Sequence, residues 1–95
     1  MTEQDHILVC LMEECSEVSK DVCKALRFGL GDADPSNGVN NRLRIATEWA
    51  EVVAVGEMLI ELGAIEDLRS EKFISDKREK VLRYMEYARN CGKVE

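Results

Sequence analysis

The segment Glu13-Glu14-Cys15-Ser16-Glu17 places three carboxylates within about one helical turn. On a helix, residues three apart such as Glu14 and Glu17 lie side by side on one face. Neighbouring carboxylates repel each other, and a cation bound between them relieves that repulsion. Hard divalent cations prefer oxygen ligands of this kind. Glu48 and Glu51 repeat the spacing, so two such pairs on facing helices would form a four-carboxylate metal site.

The first acidic pair lies on a predicted helix that runs from Thr2, a suitable N-cap, to about Phe28. Its apolar residues recur at alternating spacings of three and four, which is typical of an amphipathic helix with a heptad-like seam. These residues are Leu8, Leu11, Cys15, Val18, Val22 and Ala25. The following segment, residues 29–39, is rich in turn-forming residues and predicts a loop.

The second acidic pair lies on a predicted helix that starts near Asn40 or Asn41, either of which can cap it, and stops at Gly63. The run Val52-Val53-Ala54-Val55 makes this helix apolar on all sides, which indicates a buried helix. Two other helices of so short a chain cannot cover it. The sequence therefore predicts a helical bundle that is completed by forming a homodimer or homotetramer.

A third helix is predicted from a cap near Ser75 to about Asn90, after a connection with a helical turn near residues 65–69. The residues expected to face inward are Val81, Leu82, Met85 and Ala88. The chain of 95 residues shows no internal boundary, so we expect one all-α domain over residues 1–95.

The two acidic pairs should lie at the same level of the bundle. Glu17 is eleven residues before Phe28, and Glu48 is eight residues after Asn40. At about 1.5 Å per residue, these separations place the pairs roughly 16 and 12 Å from the turn. The short loop makes the two helices antiparallel neighbours. Glu14 and Glu17 should then face the second pair, in a site that suits Mg²⁺ or Mn²⁺.

Basic and amide side chains lie one or two helical turns from the acidic pairs. Lys24 is seven residues after Glu17, on the same face and about 10 Å further along the axis. The others are Lys20 and Arg27 beside Lys24, and Asn41 and Arg44 before Glu48. A metal site with cationic groups close by is the layout that a triphosphate chain requires.

Composition excludes several other classes of protein. A net charge of -6 argues against non-specific binding to nucleic acid. No apolar run is long enough to span a bilayer, and the first residues lack the pattern of a signal peptide. The four cysteines, Cys10, Cys15, Cys23 and Cys91, have neither disulfide-framework nor zinc-ligand spacing. Reduced thiols and a cytoplasmic location are expected.

At these acidic residues the chain resembles the MazG-like all-α nucleoside triphosphate pyrophosphohydrolases, a superfamily that includes dimeric dUTPases and phosphoribosyl-ATP pyrophosphohydrolase. The family signature is EExxE, a spacer, and ExxD. The first half is present as Glu13, Glu14 and Glu17, and the second half is Glu48-Trp49-Ala50-Glu51, with Glu where the family usually has Asp. The similarity to small phage and bacterial members covers about residues 5–62.

The resemblance implies hydrolysis of an NTP or dNTP to the monophosphate and pyrophosphate, by attack of a metal-activated water on the α-phosphorus. The implied Mg²⁺ ligands are Glu14, Glu17, Glu48 and Glu51, with Glu13 as an accessory acid. Glu13 or Glu17 would accept the proton. Lys24, Arg27 and a basic residue of the third helix, Lys77 or Lys80, would hold the pyrophosphate. Phe28 and Asn41 are candidates for contacting the nucleotide.

Two alternative hypotheses remain open at this point. One is a catalytically silent helical oligomer that binds a nucleotide or a protein, and Glu51 in place of Asp is the feature that favours it. The other is a phosphoribosyl-ATP pyrophosphohydrolase, which shares the chemistry but acts on a different substrate.

Overall fold

Three α-helices make up the secondary structure in the computed structural model, which describes all residues from 1 to 95. Helix α1 spans Glu3–Phe28, α2 spans Asn41–Glu61 and α3 spans Glu71–Asn90. The only strand-like pairing is a single bridge between Ala33 and Asn40. The predicted all-α class is therefore confirmed. None of the helices combines the length and the apolar character needed to cross a membrane.

The first two helices begin at the predicted caps. The Thr2 hydroxyl accepts a hydrogen bond from the Asp5 backbone N–H at 3.1 Å, and the Asp5 carboxylate accepts one from the Thr2 backbone N–H at 2.9 Å. This reciprocal capping box satisfies two N–H groups that would otherwise lack a partner. At α2, the Asn40 side chain accepts a hydrogen bond from the backbone N–H of Leu43 at 2.8 Å.

The third helix begins earlier than the sequence predicts. Ser70, rather than Ser75, is its N-cap, and the Ser70 hydroxyl accepts a hydrogen bond from the Phe73 backbone N–H at 3.0 Å. The predicted helical turn near residues 65–69 is wrong, since this segment is not helical. The carboxylate of Asp67 instead accepts hydrogen bonds from both the backbone and the side chain of Arg69, which favours a turn over a helix.

The loop between α1 and α2 is held against the start of α2. Gly29 ends α1 with φ +99°, a conformation that favours glycine. The backbone N–H groups of Asn41 and Arg42 donate to the carbonyls of Asp32 and Leu30, both at 3.0 Å. The amide nitrogen of Asn41, a buried residue, donates to the Gly29 carbonyl at 2.9 Å. These bonds fold α2 back along α1, so the two helices pack as an antiparallel pair.

One chain buries very little apolar surface. Ile7 and Leu59 are the only buried hydrophobic residues. Helix α3 packs against neither α1 nor α2, and Val81, Leu82 and Met85 are 50%, 58% and 36% exposed. The prediction that these side chains face inward is therefore wrong within a single chain. The radius of gyration is 16.7 Å, whereas a compact chain of this length has about 12 Å.

Replacing Asn41 by alanine tests the role of the loop hydrogen bond. The Asn41→Ala change removes the buried side-chain donor to the Gly29 carbonyl, which keeps only its longer hydrogen bond from the Asp32 backbone N–H at 3.3 Å. We expect a loss of about 0.5–1.5 kcal/mol in the free energy of unfolding. Urea denaturation at fixed protein concentration measures it, with the neighbouring exposed Arg42→Ala as the control. Equal unfolding midpoints for the two variants would show that the bond does not fix the hairpin.

Candidate metal and phosphate site

Three carboxylates meet where α1 and α2 pack together. Oxygen atoms of Glu14 on α1 and of Glu48 and Glu51 on α2 all lie within 4.8 Å of one another. Glu48 and Glu51 are three residues apart, so both project toward α1 from one face of α2. The hairpin brings Glu14 to their level. We call Glu14, Glu48 and Glu51 the acidic triad.

Two oxygens of the acidic triad are shielded from solvent and have no partner. Glu14 Oε2 and Glu48 Oε2 are buried and accept no hydrogen bond from the protein. A buried acceptor without a partner carries its full desolvation cost, so such atoms are uncommon in folded proteins. A divalent cation would supply the missing interaction for both oxygens. Glu51 is exposed, which leaves the triad accessible from solvent.

The close packing of these carboxylates also shifts the pKa values of two of them. Burial, followed by the proximity of Glu14 and Glu51, raises the pKa of Glu48 to about 7. The pKa of Glu14 is also raised, mainly by the close approach of the Glu51 carboxylate and next by desolvation. Below about pH 7 Glu48 therefore holds a proton when no cation is bound. A cation that binds there must displace this proton, which makes its affinity depend on pH.

Glu17, the fourth predicted ligand, is not part of the triad and lines an adjoining cavity. This cavity of about 300 Å³ lies between α1 and α2 and also includes Glu48 in its wall. Its charged lining residues are Glu17, Lys20, Asp21, Lys24, Arg44 and Glu48. Five of the side chains that the sequence predicts as neighbours share this cavity: Glu17, Glu48, Lys20, Lys24 and Arg44. Its basic part is suited to phosphate groups, because lysine and arginine bind phosphate oxygens strongly.

Arg44 is held in place by the loop between the helices. Its guanidinium donates to the Asp34 carboxylate at 3.2 Å. Hydrogen bonds from Ser36 lower the pKa of Asp34, and Arg44 contributes to the same shift. A second depression of about 220 Å³ shares Lys24 and Arg44 with the cavity and adds Phe28 and Asn41 to its lining. The two depressions therefore form a continuous surface around Lys24 and Arg44.

Four of the predicted site residues lie outside the acidic triad and both depressions within one chain. The guanidinium of Arg27 lies over the ring of its neighbour Phe28, 4.8 Å from the centroid. Lys77 lines a separate apolar groove, and Lys80 is exposed on α3, which does not contact α1. Glu13 is exposed beside Glu14 and makes a small contribution to the raised pKa of Glu14.

Two residues of the site were not singled out from the sequence. Asp21 is only 4% exposed and lines the cavity. Its position, seven residues after Glu14 and four after Glu17, puts it on the same helical face, so the spacing could have revealed it. Asp34, the partner of Arg44, lies in the loop, where no periodicity indicates which side chains meet.

Comparisons with protein-family models, with curated proteins and with solved structures find no match to this chain. The family resemblance of the acidic motifs therefore stays a prediction.

The raised pKa of Glu48 predicts how stability depends on pH without metal. Between pH 4.5 and about 7 the folded chain binds a proton that the unfolded chain releases, so its stability should fall as pH rises through this interval. We expect Glu48→Gln to flatten that dependence and to raise the melting temperature near pH 7.

Thermal unfolding measured across this pH range, in the presence of a metal chelator, gives the change in melting temperature. Glu61→Gln, an exposed residue of the same helix, makes the same change in charge and serves as the control. Parallel pH profiles for the wild type and Glu48→Gln would contradict the proposed repulsion within the triad.

Proposed function

We propose that this chain is a Mg²⁺-dependent nucleoside triphosphate pyrophosphohydrolase of the MazG-like type, with Mn²⁺ as an alternative metal. The observation that carries the proposal is the pair of buried oxygens without partners on Glu14 and Glu48, within reach of Glu51. Next to them lies a cavity whose lining includes three basic residues, Lys20, Lys24 and Arg44, together with the acidic Glu17, Asp21 and Glu48. A metal site adjoining these basic side chains suits a substrate that carries several phosphates.

The residues present fit the metal. Glu14, Glu48 and Glu51 supply carboxylate oxygens, the ligands that Mg²⁺ favours, and they come from two helices that the hairpin holds together. Glu17, exposed one turn from Glu14 and in the wall of the cavity that includes Glu48, would complete the predicted set of four. The bound metal would neutralise phosphate charge and lower the pKa of the attacking water.

The side chains of the cavity account for the remaining steps. In the proposed reaction, water attacks the α-phosphorus, the bond from this phosphorus to the bridging oxygen breaks, and pyrophosphate leaves. Glu17 is better placed than Glu13 to accept the proton of the water, because Glu17 lines the cavity. Lys24 and Arg44 would hold the negative charge of the departing pyrophosphate. The exposed ring of Phe28, in the adjoining depression, offers a surface for the base.

The second candidate function is a catalytically silent helical oligomer that binds a nucleotide or a protein. The observation that favours it is the position of Glu17, which lies outside the acidic triad. Binding of Mg²⁺ and nucleotide without turnover would identify this function. A phosphoribosyl-ATP pyrophosphohydrolase would differ only in its substrate, so that compound belongs in the assay.

We further propose a homodimer or homotetramer located in the cytoplasm. The many large apolar side chains that one chain leaves exposed support the oligomer. The four cysteines are free thiols, in keeping with a reducing compartment.

A substrate panel with product identification tests the enzymatic proposal. We expect the wild type with Mg²⁺ to release pyrophosphate, and not orthophosphate, from at least one NTP or dNTP. Glu14→Gln and Glu48→Gln should lower kcat/KM by about 100-fold or more, because each removes a charge that holds the metal.

Glu61→Gln is the matched control and should retain full activity. Undiminished activity in Glu48→Gln would contradict the ligand assignment. Absence of turnover across the panel, together with retained nucleotide binding, would favour the silent oligomer.

A further inference from the structure

Asp21 on α1 is one of only two buried polar residues of the chain, and it is 4% exposed. The other, Asn41, donates a hydrogen bond to the Gly29 carbonyl. Asp21 has no such partner, because its carboxylate accepts no hydrogen bond from the protein and forms no ion pair. A buried carboxylate without a partner is destabilising, so we expect a bound group to offset the cost.

The carboxylate of Asp21 opens into the cavity between α1 and α2 that adjoins the acidic triad. In contrast to the shielded oxygens of Glu14 and Glu48, the oxygens of Asp21 can be reached from this cavity. Asp21 is not among the carboxylates that lie within 4.8 Å of one another. A cation bound by the triad therefore leaves Asp21 without a partner, and a different group must fill that role.

Asp21 lies midway between the two ends of the proposed nucleotide site. Glu14, Asp21 and Phe28 follow one another at intervals of seven residues. Each interval is about 10 Å along the axis and turns the side chain by only about 20°, so the three share one face of α1. Glu14 belongs to the proposed metal site, and Phe28 lines the depression proposed for the base. Because the sugar of a nucleotide joins its phosphates to its base, a nucleotide that spans the site has its sugar beside Asp21.

The chemistry of a carboxylate matches the sugar better than the phosphates. An ionised carboxylate only accepts hydrogen bonds, and it repels the negative oxygens of phosphate. Its hydrogen bonds with hydroxyl groups are short and strong because the acceptor is charged. Its two oxygens match the neighbouring 2′- and 3′-hydroxyls of ribose, and acidic residues bind ribose hydroxyls in dinucleotide-binding proteins. A 2′-deoxyribose lacks one of these donors and leaves part of the buried carboxylate without a partner.

We propose that Asp21 determines the sugar specificity of the site by accepting hydrogen bonds from the 2′- and 3′-hydroxyls of a ribonucleotide. This inference rests on the proposed function, and it narrows the substrate class from nucleotides of either sugar to ribonucleoside triphosphates. The basic residues of the cavity, Lys20, Lys24 and Arg44, stay available for phosphate groups, because none of them pairs with Asp21.

Equilibrium binding to the wild-type chain with Mg²⁺ tests the sugar assignment. The probes are α,β-methylene analogues of the NTPs and dNTPs, which resist cleavage at the α-phosphorus. For the base that binds best, the ribonucleotide analogue should bind about 10-fold more tightly than its 2′-deoxy counterpart, because the latter loses one hydrogen bond to a charged acceptor. The values of kcat/KM for the corresponding NTP and dNTP should differ in the same direction.

A pair of matched variants assigns this preference to Asp21. Asp21→Ala should bring the ratio of the two affinities close to one, because the ribonucleotide loses more hydrogen bonds than the deoxyribonucleotide. Asp76→Ala, the same change at an exposed residue of α3, should keep the wild-type ratio. The number of Mn²⁺ ions bound and their affinity should be the same in Asp21→Ala as in the wild type, since Asp21 lies outside the acidic triad.

The wild-type ratio decides the question even if Asp21→Ala does not fold. Equal binding of the two sugars by the wild type would overturn the sugar assignment, and retained hydrolysis would then leave the proposed function standing. Loss of a bound Mn²⁺ in Asp21→Ala, or an equal loss of affinity for both sugars, would show that Asp21 acts on the metal or the fold, and would also overturn it. Failure of every analogue to bind would contradict both this inference and the proposed function.

Discussion

The packing of α1 against α2 places two carboxylates close together and shields them from water. This arrangement is energetically unfavourable. Glu14 and Glu48 each present a buried oxygen without a hydrogen bond, and Glu51 adds a third acidic group within 4.8 Å. The cost appears in the pKa of Glu48, which rises to about 7. A cation bound between these carboxylates would offset this cost, and Lys20, Lys24 and Arg44 in the adjoining cavity suit the phosphates of the proposed substrate.

The loop between the helices sets the register on which this arrangement depends. The hydrogen bonds of Asn41, Arg42 and Gly29 fix where α2 starts relative to the end of α1. A shift by one residue would rotate the acidic side of α2 by about 100° and separate the triad. The same loop holds Arg44 through Asp34. The proposed metal ligands and phosphate-binding groups are therefore positioned by one short segment.

Local sequence patterns predicted the parts of the fold that local interactions determine. The caps at Thr2 and Asn40, the two long helices and the meeting of Glu14 with Glu48 and Glu51 all follow from spacing and side-chain chemistry. The start of α3 was misplaced because two serines can cap a helix, and composition does not choose between Ser70 and Ser75. The prediction that one side of α3 faces inward was wrong for a different reason. Periodicity shows that a helix has an apolar side, but it does not show which chain covers that side. Asp34 was not predicted as a site residue, because the contacts of loop residues follow no regular spacing in the sequence.

The presence of a cation among Glu14, Glu48 and Glu51 is the central claim, and paramagnetic NMR with Mn²⁺ tests it most directly. Substoichiometric Mn²⁺ should broaden the backbone amide signals around these three residues before any others, and excess Mg²⁺ should restore them. Glu48→Gln should abolish the localised broadening. Broadening that centres on other acidic residues, or that is uniform over the chain and unchanged in Glu48→Gln, would contradict the account.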